Sequence, residues 1–279
     1  MKIHLLMPTI GRADEIEKFI SSVNKNNASV QLLIADQNEV GFLEPKKLYE
    51  CAKNQNIDMH YFHSEQKGLS HNRNFLLSKL DAHEGIIAFP DDDCLYYEDT
   101  LDLVMSFFEN NPSVDVLLGC IYDREYDRYL FKKWPRKSVV VNYLNVYFMS
   151  SSITIFVRKP NQQKFDQALG AGAVYGSCED PDYLYSLLKK GCKIVYEPSI
   201  QVWHPAPDYH QISLSKVYSY AKGFGYFIRK DIDVFKSILL VLLISKKLFQ
   251  LIFRFKHFPI KYFRAYFSGL ISGLLRKQT

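Results

Sequence analysis

Three consecutive aspartates, Asp91, Asp92 and Asp93, directly follow an apolar run at residues 85–90. A short run of β-branched and aromatic residues bounded by Gly and Pro is typical of a buried strand, and open α/β sheets bind ligands at the carboxyl ends of their strands. Adjacent carboxylates repel one another unless a cation compensates them. The triplet therefore predicts a site for a divalent metal that carries a phosphate, although an acidic turn capping the next helix has the same pattern.

A second acidic group, Glu179, Asp180 and Asp182, follows a Gly-rich loop at residues 170–176. Glycines let a backbone approach a ligand closely, and the dipole of a helix stabilises carboxylates in its first turn. A carboxylate placed there could act as a general base that removes a proton from a hydroxyl. Asp180 is the preferred candidate, and Glu179 and Asp182 are alternatives. Helix capping that begins at Ser177 explains the same residues and is compatible with catalysis.

Other polar side chains are spaced to meet a nucleotide. Asp36 ends an apolar run at residues 33–35, where an acid could hydrogen-bond a nucleoside or cap a helix. No Gly-x-Gly-x-x-Gly motif precedes it, which argues against a nicotinamide cofactor. Further candidates for contact with a nucleotide diphosphate follow the first predicted strand or flank the turn at residues 68–70: Thr9, Arg12, Lys67 and Arg73.

The elements that must position these residues alternate between strand-like and helical patterns. Strands are predicted at 3–7, 30–35, 59–63, 85–90, 114–119 and 152–157, and helices at 13–26, 45–54, 70–80, 97–110 and 179–190. Such alternation predicts an α/β fold, in which helices flank a mostly parallel central sheet. Pro205 and Pro207 mark the end of this pattern, so we expect an enzyme domain at 1–208 and an extension at 209–279.

The charge is divided unevenly between these two parts. Residues 1–208 carry 22 Lys and Arg against 28 Asp and Glu, whereas residues 209–279 carry 13 against 2. Basic residues alternate there with Phe, Tyr, Leu and Ile, which is typical of amphipathic helices on anionic membranes. The densest apolar run, 238–244, is too short to span a bilayer. Packing on the enzyme domain or dimerisation would explain the same pattern, and no nucleic-acid-binding module is recognisable.

Composition indicates an ordinary globular protein, with 279 residues and 47% hydrophobic content. The five cysteines are scattered without CxxC spacing, which argues against a disulfide framework and against a structural zinc site. The apolar stretch at residues 3–8 is shorter than a signal peptide requires, so export is not expected. These features favour a reducing, cytoplasmic location.

The motifs, taken in order, resemble those of the family 2 GT-A glycosyltransferases. The resemblance covers roughly residues 3–205 and implies a Rossmann-like GT-A fold, a nucleotide-sugar donor and inversion at the anomeric carbon. It rests on six segments: Pro-Thr-Ile-Gly-Arg at 8–12, Asp-Gln at 36–37, Gly-Leu-Ser-His-Asn-Arg-Asn at 68–74, Phe-Pro-Asp-Asp-Asp at 89–93, Gly-Ser-Cys-Glu-Asp-Pro-Asp-Tyr at 176–183 and Val-Trp-His-Pro at 202–205.

The resemblance also assigns roles to single residues. Asp91 and Asp93 match the outer members of the DxD motif, and His204 matches a histidine that often completes the metal site. Imidazole favours Mn²⁺ over Mg²⁺, although both remain open. The resemblance favours Asp180, the second acid of its pair, as the base. Together with the spacing of the residues, these roles predict contacts to the donor for Thr9, Arg12, Asp36, Lys67, Arg73, Asp91 and Asp92. The Gly-rich loop and an aromatic face that could stack on a sugar predict an acceptor pocket at Gly172, Tyr175, Gly176, Glu179 and Trp203.

These expectations describe a peripheral enzyme on the inner face of the cell membrane. It would add one sugar, with a UDP-sugar as the expected donor, to a lipid-linked or cell-surface polysaccharide acceptor. A processive polymerase is less expected, since neither its additional motif nor multiple transmembrane helices are evident. The alternatives are a sugar nucleotidyltransferase and a non-catalytic membrane-bound scaffold. The sequence does not indicate an oligomeric state.

Overall fold

A computed structural model describes residues 1–23, 29–80, 85–158, 163–206, 212–253 and 259–275. The chain forms two compact units. The first comprises Met1–Lys67, His71–Lys164 and Tyr183–Pro207, and the second comprises Gly68–Ser70, Phe165–Asp182 and Asp208–Thr279. The predicted domain boundary after residue 208 lies outside the described residues and stays a prediction.

The first unit is built on one large sheet. Among the described residues its strands are β1 (Lys2–Thr9), β2 (Ser29–Asp36), β3 (Asp58–His63), β4 (Ile86–Ala88), β5 (Leu95–Tyr96), β6 (Val116–Asp123), β7 (Arg128–Tyr129), β8 (Val139–Val140), β9 (Ile155–Arg158) and β10 (Ile194–Trp203). Their order is β3-β2-β1-β4-β9-β6-β10-β5, with β7 beside β6 and β8 beside β10. The apolar side chains of β1 and β2 are almost fully buried and form the centre of the core.

The sheet combines parallel and antiparallel pairs. Strands β3, β2, β1 and β4 run parallel, as the alternation of strands and helices predicts. Strand β9 is antiparallel to both β4 and β6, whereas β6 and β10 are parallel. The predicted α/β fold is therefore confirmed. Three of the residues predicted as strand, Ser152–Thr154, instead form a 3₁₀ turn before β9.

Helices connect the strands and cover the sheet. They are α1 (Ala13–Val23), α2 (Pro45–Asn54), α3 (Leu69–Leu77), α4 (Thr100–Asn110), α5 (Val146–Met149) and α6 (Glu179–Lys189). Helix α1 buries Ile16, Phe19, Ile20 and Val23, which recur at helical spacing. Its predicted end near residue 26 lies outside the described residues. Helix α4 begins three residues later than predicted, because the Tyr97 backbone N–H donates to Thr100 Oγ1 at 3.0 Å and forms a turn before the helix.

The second unit contains α7 (Leu214–Lys230), α8 (Val234–Phe253) and α9 (Ile260–Leu275). Helices α7 and α9 approach closely at glycines. A Cβ atom on Gly225 would lie 2.5 Å from the Leu270 carbonyl, and one on Gly273 would collide with the Lys222 carbonyl. Lys236 of α8 is buried and donates to the Phe227 carbonyl at 2.6 Å. Within the described part of the chain, no helix is both long and apolar enough to cross a membrane.

Candidate functional site

The aspartate triplet follows β4 in a tight turn at the carboxyl edge of the parallel strands. The backbone N–H of Cys94 donates to the Asp91 carbonyl at 3.3 Å, and this bond closes the turn. Phe89 and Pro90 are buried and lead the chain out of the sheet. The turn sends Asp92 inward, to 7% exposure, and leaves Asp91 and Asp93 partly exposed.

Asp92 is bound within the protein on both carboxylate oxygens. Thr9 Oγ1 donates to Oδ2 at 2.7 Å, and Arg12 Nη1 lies 3.1 Å from Oδ1. Burial raises the pKa of Asp92, and the contacts with Thr9 and Arg12 only partly oppose this shift. The central aspartate thus ties the end of β1 to the triplet. Its predicted contact with the donor stays a prediction.

Asp91, Asp93 and His204 form a cluster that could hold a metal ion, since one candidate ligand atom from each lies within 4.8 Å of the others. The cluster forms because β5 pairs with the end of β10, with Leu95 opposite Trp203. His204 Nε2 consequently lies 3.2 Å from Asp93 Oδ1. His204 Nδ1 donates to the Pro205 carbonyl at 2.8 Å, so that Nε2 is the ring nitrogen facing the carboxylates.

Asp93 and His204 shift the pKa of each other in opposite directions. Burial raises the pKa of Asp93, but His204 and Arg12 together bring it below its ordinary value. Burial lowers the pKa of His204, but the hydrogen bond and charge of Asp93 bring it above its ordinary value. Arg12 also forms an ion pair with Asp93, and the fully buried Arg73 places Nη2 3.1 Å from Asp91 Oδ1. The triplet therefore gathers two guanidinium groups and one imidazole from distant parts of the sequence.

The predicted nucleoside-binding residues lie side by side. Thr9 and Asp36 are paired in the register of β1 and β2, at the carboxyl ends of both strands. Asp36 is 1% exposed and accepts hydrogen bonds from Asn38 Nδ2 at 2.7 Å and from the Tyr61 hydroxyl at 2.5 Å. Lys67 is exposed in the turn before α3. These placements agree with a ligand-binding edge, while the individual contacts with a donor stay predictions.

The first turn of α6, up to Asp182, belongs to the second unit, whereas the helix from Tyr183 onward belongs to the first. Glu179 and Asp180 lie in this first turn and are partly exposed. Both belong to the segment Phe165–Asp182. Lys230 of α7 binds this segment through two ion pairs, with Nζ 2.8 Å from Oδ2 of both Asp166 and Asp182. Sequence reasoning missed this cluster, because a lysine at a helix C-terminus usually only complements the helix dipole.

The predicted acceptor residues occupy different environments. Tyr175 is 2% exposed and stacks on Tyr226 with 4.1 Å between ring centroids, so its ring serves as packing in the second unit. Gly176 lies against Ser219 of α7, where a Cβ atom would collide with the serine hydroxyl. Gly172 is exposed, with φ +80°, and Trp203 is partly buried at the end of β10. Whether these residues contact an acceptor stays a prediction.

Comparison with solved structures gives the same fold. The chain resembles TarS 1–349 from S. aureus in complex with UDP-GlcNAc, with 17% identity and a TM-score of 0.61 over 97% of this chain and 82% of that one. It resembles the mannosyltransferase PcManGT from Pyrobaculum calidifontis in complex with GDP-Man and Mn²⁺, with 13% identity and a TM-score of 0.64 over 99% and 88%. The chain spans 38% of the longer TarS chain that it matches.

The sequence itself identifies the class of protein. No curated protein matches the chain. Residues 5–168, more than half of the chain, match the family model described as Glycosyl transferase family 2. The protein is therefore a glycosyltransferase. It belongs to family 2, as the order of its motifs predicts.

Proposed function

We propose that this glycosyltransferase moves a single sugar, with inversion at the anomeric carbon, from a nucleotide sugar to a hydroxyl of a lipid-linked or cell-surface polysaccharide acceptor. The expected donor is a UDP-sugar, and the expected metal is Mn²⁺ or Mg²⁺. The observation that carries the proposal is the cluster of Asp91, Asp93 and His204, with candidate ligand atoms within 4.8 Å of one another. It lies at the carboxyl edge of the sheet, where α/β folds bind ligands.

The chemistry of the cluster fits a divalent cation. Two carboxylates and one imidazole suit Mn²⁺ well and Mg²⁺ acceptably. The Pro205 carbonyl occupies His204 Nδ1, which leaves Nε2 as the ligand atom, an arrangement typical of metal-binding histidines. Once bound, the metal would supply Lewis-acid stabilisation of the departing nucleoside diphosphate. Arg12 and Arg73 add positive charge for the same anion.

Asp180 is the proposed general base, with Glu179 as the alternative. Either carboxylate would take the proton from the acceptor hydroxyl as that oxygen attacks the anomeric carbon opposite the diphosphate. Both residues lie in the first turn of α6, where the helix dipole stabilises negative charge. Membership of family 2 favours this reaction over a sugar nucleotidyltransferase or a non-catalytic scaffold.

The donor site can be tested by thermal unfolding with UDP-, GDP-, CMP- and dTDP-sugars, in Mn²⁺, Mg²⁺ or chelator. Asp93→Asn is compared with Asp58→Asn. Asp58 begins β3 and therefore lies at the amino ends of the parallel strands, away from the cluster. We expect one nucleotide class to raise the unfolding temperature of the wild type and of Asp58→Asn only when metal is present. Asp93→Asn should show no such rise. An equal rise in Asp93→Asn, or none with any donor, would refute the metal assignment.

The base can be tested separately, because a base is needed for transfer and not for donor binding. Asp180→Asn should keep the metal-dependent stabilisation by the donor and lose transfer by a factor of about 10² to 10⁴. Glu179→Gln is the matched variant one residue away. If Glu179→Gln loses transfer and Asp180→Asn retains it, Glu179 is the base.

We further propose that the second unit attaches to the inner face of the cell membrane through one face of α8. Along this helix, exposed apolar side chains recur at helical spacing and fall within an arc of about 140°. They are Val234, Ile238, Val241, Leu242, Leu248, Phe249, Ile252 and Phe253. Lys246 of α8 and Lys261 of α9 are exposed. An apolar face beside cations suits an anionic bilayer surface.

Flotation with phosphatidylglycerol vesicles tests this attachment in the full-length chain. Val241→Glu and Ile252→Glu place a charge at sites that are 63% and 64% exposed, so folding should be preserved. Both variants should detach from the vesicles, whereas Val40→Glu, a matched change at an 86% exposed site in the first unit, should bind like the wild type. Undiminished binding of both α8 variants would contradict the proposal.

A further inference from the structure

Phe131 occupies a backbone conformation that a bulky residue rarely adopts. Its φ is +66°, and the Lys132 backbone N–H donates to the Leu130 carbonyl at 2.8 Å. This bond closes a three-residue γ-turn with Phe131 at its centre. Turns of this hand are rare and strained, and Gly would adopt the left-handed region without a steric penalty. A strained residue persists only where its surroundings hold it in place.

The surroundings of Phe131 do hold the turn in place. The Leu130 N–H donates to the Ile121 carbonyl of β6 at 3.0 Å, and Trp134 Nε1 donates to the Leu130 carbonyl at 2.9 Å. On the other side, Lys132 Nζ donates to the Ser150 carbonyl at 2.7 Å. Both flanks of the turn are therefore fixed, and only the ring of Phe131 projects from it.

That ring meets His204 of the metal cluster. The phenyl and imidazole centroids lie 4.8 Å apart with 83° between the ring planes, an edge-on contact. Phe131 is nevertheless 39% exposed, so it is not an ordinary core residue. Rotation of the imidazole is restrained by the Pro205 carbonyl at Nδ1 and by Phe131 against the ring. These two contacts restrain the imidazole on the side away from Asp93, whose Oδ1 lies 3.2 Å from Nε2.

We propose that Phe131 is a positioning residue for His204. This inference rests on the proposed metal role of Asp91, Asp93 and His204. The strained turn holds the phenyl ring in T-shaped contact with the imidazole and keeps Nε2 toward the two carboxylates, so less conformational freedom is lost when a divalent cation binds. The backbone strain at Phe131 is offset by the anchored flanks of the turn. A ligand histidine is commonly oriented by a contact outside the ligand shell, although usually by a hydrogen bond.

Three variants of Phe131 separate its aromatic contact with His204 from its backbone strain. Phe131→Gly removes the ring and relieves the strained φ, whereas Phe131→Leu removes only the aromatic ring and Phe131→Tyr retains it. Asn56→Gly is the matched control, because Asn56 also has positive φ, +57°, and lies after α2 away from the cluster. The readouts are the affinity for Mn²⁺ alone, from the electron paramagnetic resonance signal of the free ion, and the unfolding temperature without metal.

We expect Phe131→Gly and Phe131→Leu to bind Mn²⁺ about tenfold more weakly, the lower end of the loss for outer contacts of a ligand histidine. Phe131→Tyr and Asn56→Gly should bind like the wild type. The unfolding temperature of Phe131→Gly should equal or exceed that of the wild type, since strain is relieved. Unchanged Mn²⁺ affinity in Phe131→Gly and Phe131→Leu would overturn the inference, as would equal weakening in Phe131→Tyr.

His204→Ala in the same titration distinguishes this inference from the proposed function. If His204→Ala binds Mn²⁺ as tightly as the wild type, the metal assignment of His204 fails and the inference fails with it. If His204→Ala weakens binding and the Phe131 variants do not, only the positioning role is wrong. If Phe131→Gly does not fold, the comparison of Phe131→Leu with Phe131→Tyr decides the question.

Discussion

Lys230 should be one of the more important single residues for the stability of the second unit. Its ammonium group lies between two carboxylates, 2.8 Å from Asp166 Oδ2 and 2.8 Å from Asp182 Oδ2. The Tyr226 hydroxyl also donates to Asp166 Oδ2, at 3.1 Å. Lys230→Met keeps the aliphatic stem and removes the charge. The change leaves two carboxylates close together without their shared cation, and it loosens the segment that carries Asp180.

The magnitude follows from the burial of the three groups. Side-chain exposure is 27% for Lys230, 17% for Asp166 and 5% for Asp182. Removing one partner of a fully buried ion pair costs about 3 to 5 kcal/mol. Exposed pairs contribute only about 0 to 1 kcal/mol. Because these groups lie between the two limits and nearer the buried one, we expect a loss of about 2 to 3 kcal/mol.

Urea unfolding of the full-length protein measures this loss. Lys2→Met is the matched control, because Lys2 also contacts an aspartate at 2.9 Å, but both side chains are more than a third exposed. The control should change the unfolding free energy by less than about 0.5 kcal/mol. Adding Asp182→Asn to Lys230→Met should recover part of the loss, since it removes one of the two stranded charges. Metal-dependent donor binding in the first unit should be unchanged, while sugar transfer falls.

One result would refute this reasoning. If Lys230→Met destabilises the protein no more than Lys2→Met does, solvent screens the cluster despite its burial. In that case the Lys230 contacts do not fasten the segment at residues 165–182.

Three further predictions concern single contacts. Thr9→Val should reduce the unfolding free energy by about 1 to 3 kcal/mol, because it removes the hydrogen bond to the buried Asp92 carboxylate. Urea unfolding measures the change, and no loss would contradict the structural role of Asp92. Gly273→Ala should lower the unfolding free energy by about 1 to 3 kcal/mol, because the added Cβ would collide with the Lys222 carbonyl of α7. An unchanged urea unfolding curve would disprove the close α7–α9 packing. Cys178 is partly exposed, but desolvation raises the pKa of its thiol to about 12. The thiol should therefore react slowly with iodoacetamide at pH 8 in the folded protein and faster after unfolding, as followed by mass spectrometry. Equal rates in the two states would contradict the raised pKa.

The fold was predictable wherever local patterns determine it. The apolar runs that precede Thr9, Asp36 and Asp91 form strands of the parallel half of the sheet, and carboxyl ends of parallel strands meet at one edge. The pairing of Thr9 with Asp36 follows from that rule. The position of β9 between β4 and β6 did not follow, because its neighbours are distant in sequence and no local pattern specifies strand order.

The candidate site was predictable in part. A run of three aspartates gives no indication of which side chain is buried. In the structure the hydrogen bond from Cys94 N–H to the Asp91 carbonyl closes a tight turn, and Asp92 is the buried member. His204 reaches Asp93 only because β5 pairs with β10, a contact between residues more than a hundred positions apart. Phe131 was missed because nothing in the residue type signals positive φ. The stacking of Tyr175 on Tyr226 was not predicted either, and contact of Tyr175 with an acceptor stays a prediction.

The charges of the triplet explain why one arrangement can serve both a cation and an anion. Three carboxylates meet two guanidinium groups, Arg12 and Arg73. When His204 is neutral, as ligation of a metal requires, the cluster carries one net negative charge. This charge is sufficient to attract a divalent cation, and the arginines keep the mutual repulsion of the carboxylates low. With the cation present the same cluster becomes net positive, which favours a diphosphate. The buried Arg73 therefore supports the proposed donor site through the balance of charge as well as through its contact with Asp91.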